Sequence, residues 1–277
     1  MTRAVEHTIA DLPHARATLT TAGVATLSIE NAGKLNILGT AVIQDLIKAT
    51  EHLAALPDVR VLILRGASDR AFVAGADISE MATLDHESAK TFISTLRTFC
   101  NGMRHFPVPV IARIPAWALG GGLELAVACD LRIAADTAQF GMPEVKVGIP
   151  SVIHAALLPR LIGAGNAAWL LLAGELIDAP RALAWGLVNE IVPREKLDDT
   201  VHDLAQRLAR LGPVVLRQQK KLLRSWEGMS VDDAIEASVA EFGSAFDTGE
   251  PQQFMNQFLA EKQAAKAGGQ AGLESAP

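Results

Sequence analysis

Two glutamates stand where carboxylates are out of place. Glu124 lies in Leu119-Gly120-Gly121-Gly122-Leu123-Glu124-Leu125-Ala126-Val127-Ala128-Cys129, a helix otherwise built of Leu, Ala, Val and Cys. Burial in such company raises a carboxyl's pKa towards the range useful for proton transfer, whereas a structural glutamate more commonly faces water or pairs with Arg. Glu144 follows Phe140-Gly141-Met142-Pro143, at the end of a short strand, where side chains converge on a site. Taken alone it reads as a surface loop residue. Two carboxyls held near one another can divide labour around a single water, one protonated and one ionised. Addition of that water across a double bond needs both, a base to take its proton during attack and an acid to protonate the neighbouring carbon.

Two glycine-rich turns could stabilise the negative charge that such a reaction develops. Phe72-Val73-Ala74-Gly75-Ala76-Asp77 follows a buried strand, and Ala and Gly there leave backbone N–H groups unobstructed, although the stretch alone is simply a tight turn. Gly120-Gly121-Gly122 opens a helix, whose first amides and dipole make an anion site. Three glycines are costly there unless the backbone must approach something closely. The N–H groups of Ala74 and Gly121, from two separate strand-to-helix turns, are the expected oxyanion donors. Each such donor is typically worth about 3 kcal/mol of transition-state stabilisation.

The elements that must hold these groups follow from hydrophobic period and turn residues. Arg16–Thr21 and Val24–Glu30, separated by Ala22-Gly23, predict a hairpin. Helices are expected at Thr40–Leu56, ended by Pro57, at Glu87–His105 and at Gly120–Ala128. Strands are expected at Val59–Arg65, Val108–Ile114, Leu131–Ala135 and Gln139–Phe140. The first two-thirds is therefore an α/β layered arrangement of strand-strand-helix units, residues 1–193. Helices alone follow over 194–266, at Glu195–Leu211, Val214–Trp226, Val231–Phe246 and Gln252–Ala265, expected to pack on the core or on another subunit. Residues 267–277 are small and polar and expected to fray.

Composition narrows the function classes. With 277 residues, 49% of them hydrophobic and 20% charged, the chain can bury a full core. No apolar run reaches the roughly 20 residues a bilayer span requires, so a soluble protein is expected. Met1–Leu19 has neither a secretory apolar region nor an acid-poor presequence pattern, which points to the cytoplasm. Cys100 and Cys129 are expected to be buried and reduced. A net charge of −6 speaks against nucleic acid as the main partner. Arg217, Lys220, Lys221 and Arg224 read as a solvated helix face, or as a patch that could meet a phosphate-bearing ligand. The histidines lack metal-ligand spacing and no Gly-x-Ser-x-Gly elbow occurs. Gly163–Ala168 imitates a dinucleotide fingerprint without the strand that should precede it. The absence of Tyr, with only four Trp, is a poor supply of sugar-stacking rings for a glycosidase.

Taken together, Asn31–Leu38, Ala71–Glu80, Ala118–Asp130, Ala138–Glu144 and Ala182–Val188 resemble the enoyl-CoA hydratase/isomerase (crotonase) superfamily over roughly Val24–Pro193. The resemblance implies a spiral core of strand-strand-helix units, a trimer or dimer of trimers, and an acyl-CoA substrate with no separate cofactor and no metal. It implies that the amides of Ala74 and Gly121 grip the thioester oxygen. In the family's hydratases, glutamates matching Glu124 and Glu144 hold the water, and the one matching Glu144 handles the proton at the α carbon. Isomerases of the family commonly keep one carboxylate, so a hydratase is expected; an isomerase, a hydrolase or lyase, and a non-catalytic acyl-CoA binder are the alternatives. Lys34, Leu35 and Asn36, with the backbone of Ala76, Asp77 and Ile78, should line the coenzyme A nucleotide. Phe258 and Lys262 resemble the family's tail contact with coenzyme A bound to a neighbour.

Two departures stand out. The Asn-Gly that often precedes the glycine-rich helix is Pro115-Ala116 here. After Ile149-Pro150, where the family typically runs Gly-Ala-Gly-Gly-Thr-Gln, this chain has Ser151-Val152-Ile153-His154-Ala155-Ala156. Either Ser151 caps a helix that Val152, Ile153 and Leu157 bury, the favoured reading, or His154 adds a polar group to the acyl pocket.

Overall fold

Turn residues cut the apolar runs of the first 190 positions into short pieces, and the chain responds with strands sorted into two sheets. The structure, a computed structural model, describes residues 6–271. Strands β1 (Glu6–Leu12), β2 (Ala15–Thr20) and β3 (Val24–Ile29) form an antiparallel meander, so the expected hairpin gains one strand in front. The β2–β3 turn closes on Gly23 at φ +81°.

After helix α1 (Thr40–Ala54) a unit repeats. It runs β4 (Val61–Gly66), β5 (Ala71–Val73), α2 (Ile78–Met81) and α3 (His86–Arg104), then β6 (Val110–Ile114), β7 (Trp117–Leu119) and α4 (Gly121–Ala128). A third turn begins with β8 (Leu131–Ala135) and β9 (Gln139–Gly141) and passes through two short helical turns to α5 (Leu158–Ile162) and α6 (Ala164–Ala168). The first strand of each pair joins the large sheet, the second a small one. Strand β10 (Ile177–Asp178) closes antiparallel on β9, and after α7 (Ala179–Ala184) strand β11 (Glu190–Val192) completes the large sheet beside β8. From β3 onward the large sheet is parallel, as are β5, β7 and β9. This is the α/β spiral of strand-strand-helix units that the sequence predicts, followed by C-terminal helices.

Period-2 alternation divides the apolar side chains between two cores. Leu62, Leu64, Val110 and Ala112 face the main core with α1 and α3, while Val61, Ile63, Ile111 and Ile133 face the opposite side. That second face is covered by α8 (Leu197–Ala209), whose Leu197, Val201, Ala205 and Ala209 recur every four residues as one stripe. Buried Arg113 on β6 fastens the start of α8 through Asp198 and reaches Asp69 at 2.7 Å. The first compact unit therefore ends at Arg210 rather than at residue 193, because α8 is sheet cover.

The second unit, from Leu211, holds α9 (Pro213–Trp226), α10 (Val231–Ala245) and α11 (Glu250–Ala271). Glu250 accepts from the backbone N–H of Val214 at 2.9 Å and of Val215 at 3.0 Å, satisfying the first turn of α9. Val231, Ile235, Val239 and Phe242 form an exposed apolar stripe on α10. Of the stretch expected to fray, residues 267–271 continue α11, and 272–277 lie outside the described residues. Among the described residues no helix is long and apolar enough to cross a membrane.

Candidate active site

The site is assembled from the loop before α1 inward. Asn36, 1% exposed and at φ +53°, donates its side-chain amide to the carbonyls of Ala71 at 2.9 Å and Phe72 at 3.1 Å. The loop is thereby clasped to β5. Beyond the clasp, Leu38 N–H donates to Gly75 O at 3.0 Å and Asp77 N–H donates to Leu38 O at 3.1 Å, a single parallel bridge centred on Ala76. In a parallel ladder the residue between two such bonds turns its own N–H to the other side. There α4 begins: a Cβ added to Gly121 would stand 3.9 Å from the Ala76 nitrogen. Gly121 is the first residue of α4, so its N–H has no acceptor within the helix.

The two neighbouring amides left unspent are thus those of Ala76 and Gly121, where the expectation had named Ala74 and Gly121. The Ala74 N–H donates to the carbonyl of Leu35 at 3.0 Å and is unavailable to a ligand. The Asn36 side chain, expected with its segment beside the nucleotide, is turned inward and holds the loop from inside. Of the other expected nucleotide contacts, Lys34 and Ile78 are exposed, Leu35 is half-buried with its carbonyl engaged, and Asp77 caps α2 through Ser79 N–H at 2.9 Å and Glu80 N–H at 3.2 Å. Phe258 and Lys262 are exposed on α11, in the second unit.

The glycine run has two separate reasons. A Cβ on Gly122 would fall 2.1 Å from the Val73 carbonyl oxygen, so only glycine lets α4 lie against β5. Gly120 sits at φ +54°, and a Cβ there would fall 2.5 Å from Glu144 Oε1. The far end of α4 is fixed by buried Arg132, which the sequence reading overlooked. Its guanidinium donates to the carbonyls of Cys129 at 2.8 Å and Ala126 at 3.3 Å at the end of α4 and ties them to the carbonyl of Leu187 at 2.7 Å.

Glu124 is 3% exposed, and its Oε1 accepts the Ala155 N–H at 3.1 Å. Burial pushes its carboxyl up from 4.5 to about 8; the Ala155 N–H works against the rise and the charge of Glu144 adds to it. Glu144 is half-buried in the helical turn Pro143–Val147, and its Oε2 accepts the Ser151 hydroxyl at 2.9 Å. The capping role expected for Ser151 is therefore corrected: the hydroxyl goes to a carboxylate, and Val152 is exposed rather than buried. His154 is buried in the turn that follows. Two carboxyls that feel one another, with two unspent amides beside them, can share a proton and stabilise an oxyanion at one place.

Residues 20–269 match the family model described as enoyl-CoA hydratase/isomerase. This chain belongs to the enoyl-CoA hydratase/isomerase family. It is 35% identical to a crotonyl-CoA hydratase of Syntrophomonas wolfei, over 87% of this chain and 93% of that protein. It is 36% identical to the mitochondrial methylglutaconyl-CoA hydratase of Mus musculus, over 76% of this chain and 68% of that one. A crystal structure of an enoyl-CoA hydratase from Bacillus anthracis superposes with a TM-score of 0.83 at 30% identity, covering 92% of this chain and 96% of the other. Membership explains the spiral and makes the chain one of an acyl-CoA-binding family.

Proposed function

We propose that this family member is an enoyl-CoA hydratase, adding water across the trans-2 double bond of an acyl-CoA thioester. The observation that carries the reading is the pair of glutamates: the charge of Glu144 bears on buried Glu124, and a Glu144 oxygen lies at Gly120, next to the Gly121 amide that has no acceptor in the helix. The thioester oxygen would accept from the N–H groups of Ala76 and Gly121, which stabilise the enolate formed when water attacks the β carbon.

Burial lifts the Glu124 carboxyl to about 8, so before substrate binds it holds its proton at neutral pH. Substrate water between the carboxyls relays it to Glu144, leaving Glu124 ionised and supported by the Ala155 N–H. Glu124 then takes a proton from the attacking water while Glu144 delivers one to the α carbon, so both glutamates end as they began. Lys34, Leu35, Asp77 and Ile78 remain the proposed surroundings of the nucleotide, with Phe258 and Lys262 reaching coenzyme A on a neighbouring subunit. Self-association as a trimer or dimer of trimers would give the exposed stripe of α10 a partner.

The test is water addition to a short and a long trans-2-enoyl-CoA. Hydration of either supports the reading, and the ratio sets the acyl preference. Failure with both, or full activity in Glu124→Gln, would overturn it, the latter pointing to a double-bond isomerase that needs Glu144 alone.

A further inference from the structure

We infer that Ser151 is a positioning residue for Glu144, deciding which of its two oxygens carries the proton bound for the α carbon; this rests on the hydratase reading above. The Ser151 hydroxyl donates to Oε2 at 2.9 Å. The other oxygen, Oε1, lies 2.5 Å from where a Cβ on Gly120 would stand, beside the residue immediately before the Gly121 amide. An oxygen that already accepts a hydroxyl has its lone pair taken in that direction, so an arriving proton bonds to Oε1, next to the amide pair. Delivery of that proton breaks the Oε1–H bond and forms the α C–H bond, with the Ser151 bond to Oε2 unbroken throughout.

The backbone around Ser151 is built for this. The stretch from Ser151 to Ala155 reaches both carboxyls, the hydroxyl at one end to Glu144 and the Ala155 N–H at the other to Glu124. Between them Ile153 adopts φ +36°, a conformation β-branched residues rarely take and that persists only where the surroundings over-determine it. The bulk that replaces the family's glycines thus comes with a hydroxyl aimed at a catalytic carboxylate.

The experiment compares wild type, Ser151→Ala, Ser151→Thr, Glu144→Gln and the Ser151→Ala/Glu144→Gln double variant. Two readouts are taken, hydration of crotonyl-CoA and exchange of the α proton of butanoyl-CoA in heavy water. Ser151→Ala is expected to lower kcat about tenfold or more, the cost of losing one hydrogen bond to a charged group, with KM within about twofold. Thr, which keeps the hydroxyl, restores most of the rate. In the Glu144→Gln background the Ala change has no further effect. An equal loss in that background, an unchanged kcat, or no rescue by Thr overturns the inference. Exchange without hydration in wild type would sink the hydratase reading while the same five-way comparison, read on exchange, still judges Ser151. Neither activity in wild type overturns both.

Discussion

Replacing Glu124 with Gln should make the protein more stable as the pH rises. A carboxyl lifted from 4.5 to about 8 binds its proton more tightly in the folded chain than in the unfolded one. Its contribution is therefore fully present below about pH 4.5 and is lost as the pH climbs through about 8. At about 1.4 kcal/mol per tenfold change in acidity, the whole loss is roughly 5 kcal/mol. About 3 kcal/mol of it falls between about pH 5.5 and about pH 8.5. Gln keeps an oxygen for the Ala155 N–H but cannot ionise, so it lacks this slope. Urea unfolding of wild type and Glu124→Gln at those two pH values, at one protein concentration because association also stabilises, isolates the effect, since every titrating group that does not interact with Glu124 cancels in the difference. The stability difference should shift in favour of Gln by about 3 kcal/mol from the lower to the higher pH. A difference constant to within about 1 kcal/mol would refute the assignment of a buried, proton-retaining carboxyl at this position.

The remaining expectations concern rate and packing. Glu144→Gln should lower kcat for water addition by roughly a hundredfold to ten-thousandfold with little change in KM, measured at saturating enoyl-CoA. Gly122→Ala places a methyl against the Val73 carbonyl and should cost about 3 kcal/mol or more, read as a lower urea midpoint. Asn36→Ala strands the carbonyls of Ala71 and Phe72 and should cost about 2 kcal/mol, with activity falling as the Ala76 bridge loosens.

Glu124 stood out because a carboxyl among Leu, Ala and Val is chemically conspicuous, whereas Glu144 alone read as a surface loop residue and drew notice only beside the other motifs; the long amphipathic elements were legible because their periods are. The amide partner was not. Ala74 and Ala76 flank Gly75 with identical side chains, and only the bridge to Leu38 decides whose N–H remains unspent. Strands β5 and β7 are three residues each, too short for alternation to register, so the small sheet had no signature of its own. Helix α8 has the same surface pattern as the helices after it, and its place on the sheet depends on partners as far back in the chain as Val24. Ser151 offered a hydroxyl equally suited to a helix start or a carboxylate, and sequence could not rank the two.

Each circuit of the spiral leaves one chemical group at the same rim of the small sheet. The chain leaving β5 supplies the amide of Ala76, that leaving β7 the amide of Gly121, and that leaving β9 the carboxyl of Glu144. Because β5, β7 and β9 are hydrogen-bonded neighbours, the spacing of these groups is set by strand separation, about 4.8 Å per step, and not by the length of the connections. Family members can therefore lengthen or recompose the return helices and loops while the reacting groups keep their distances, whereas a one-residue insertion inside any of these three-residue strands would move its group out of line.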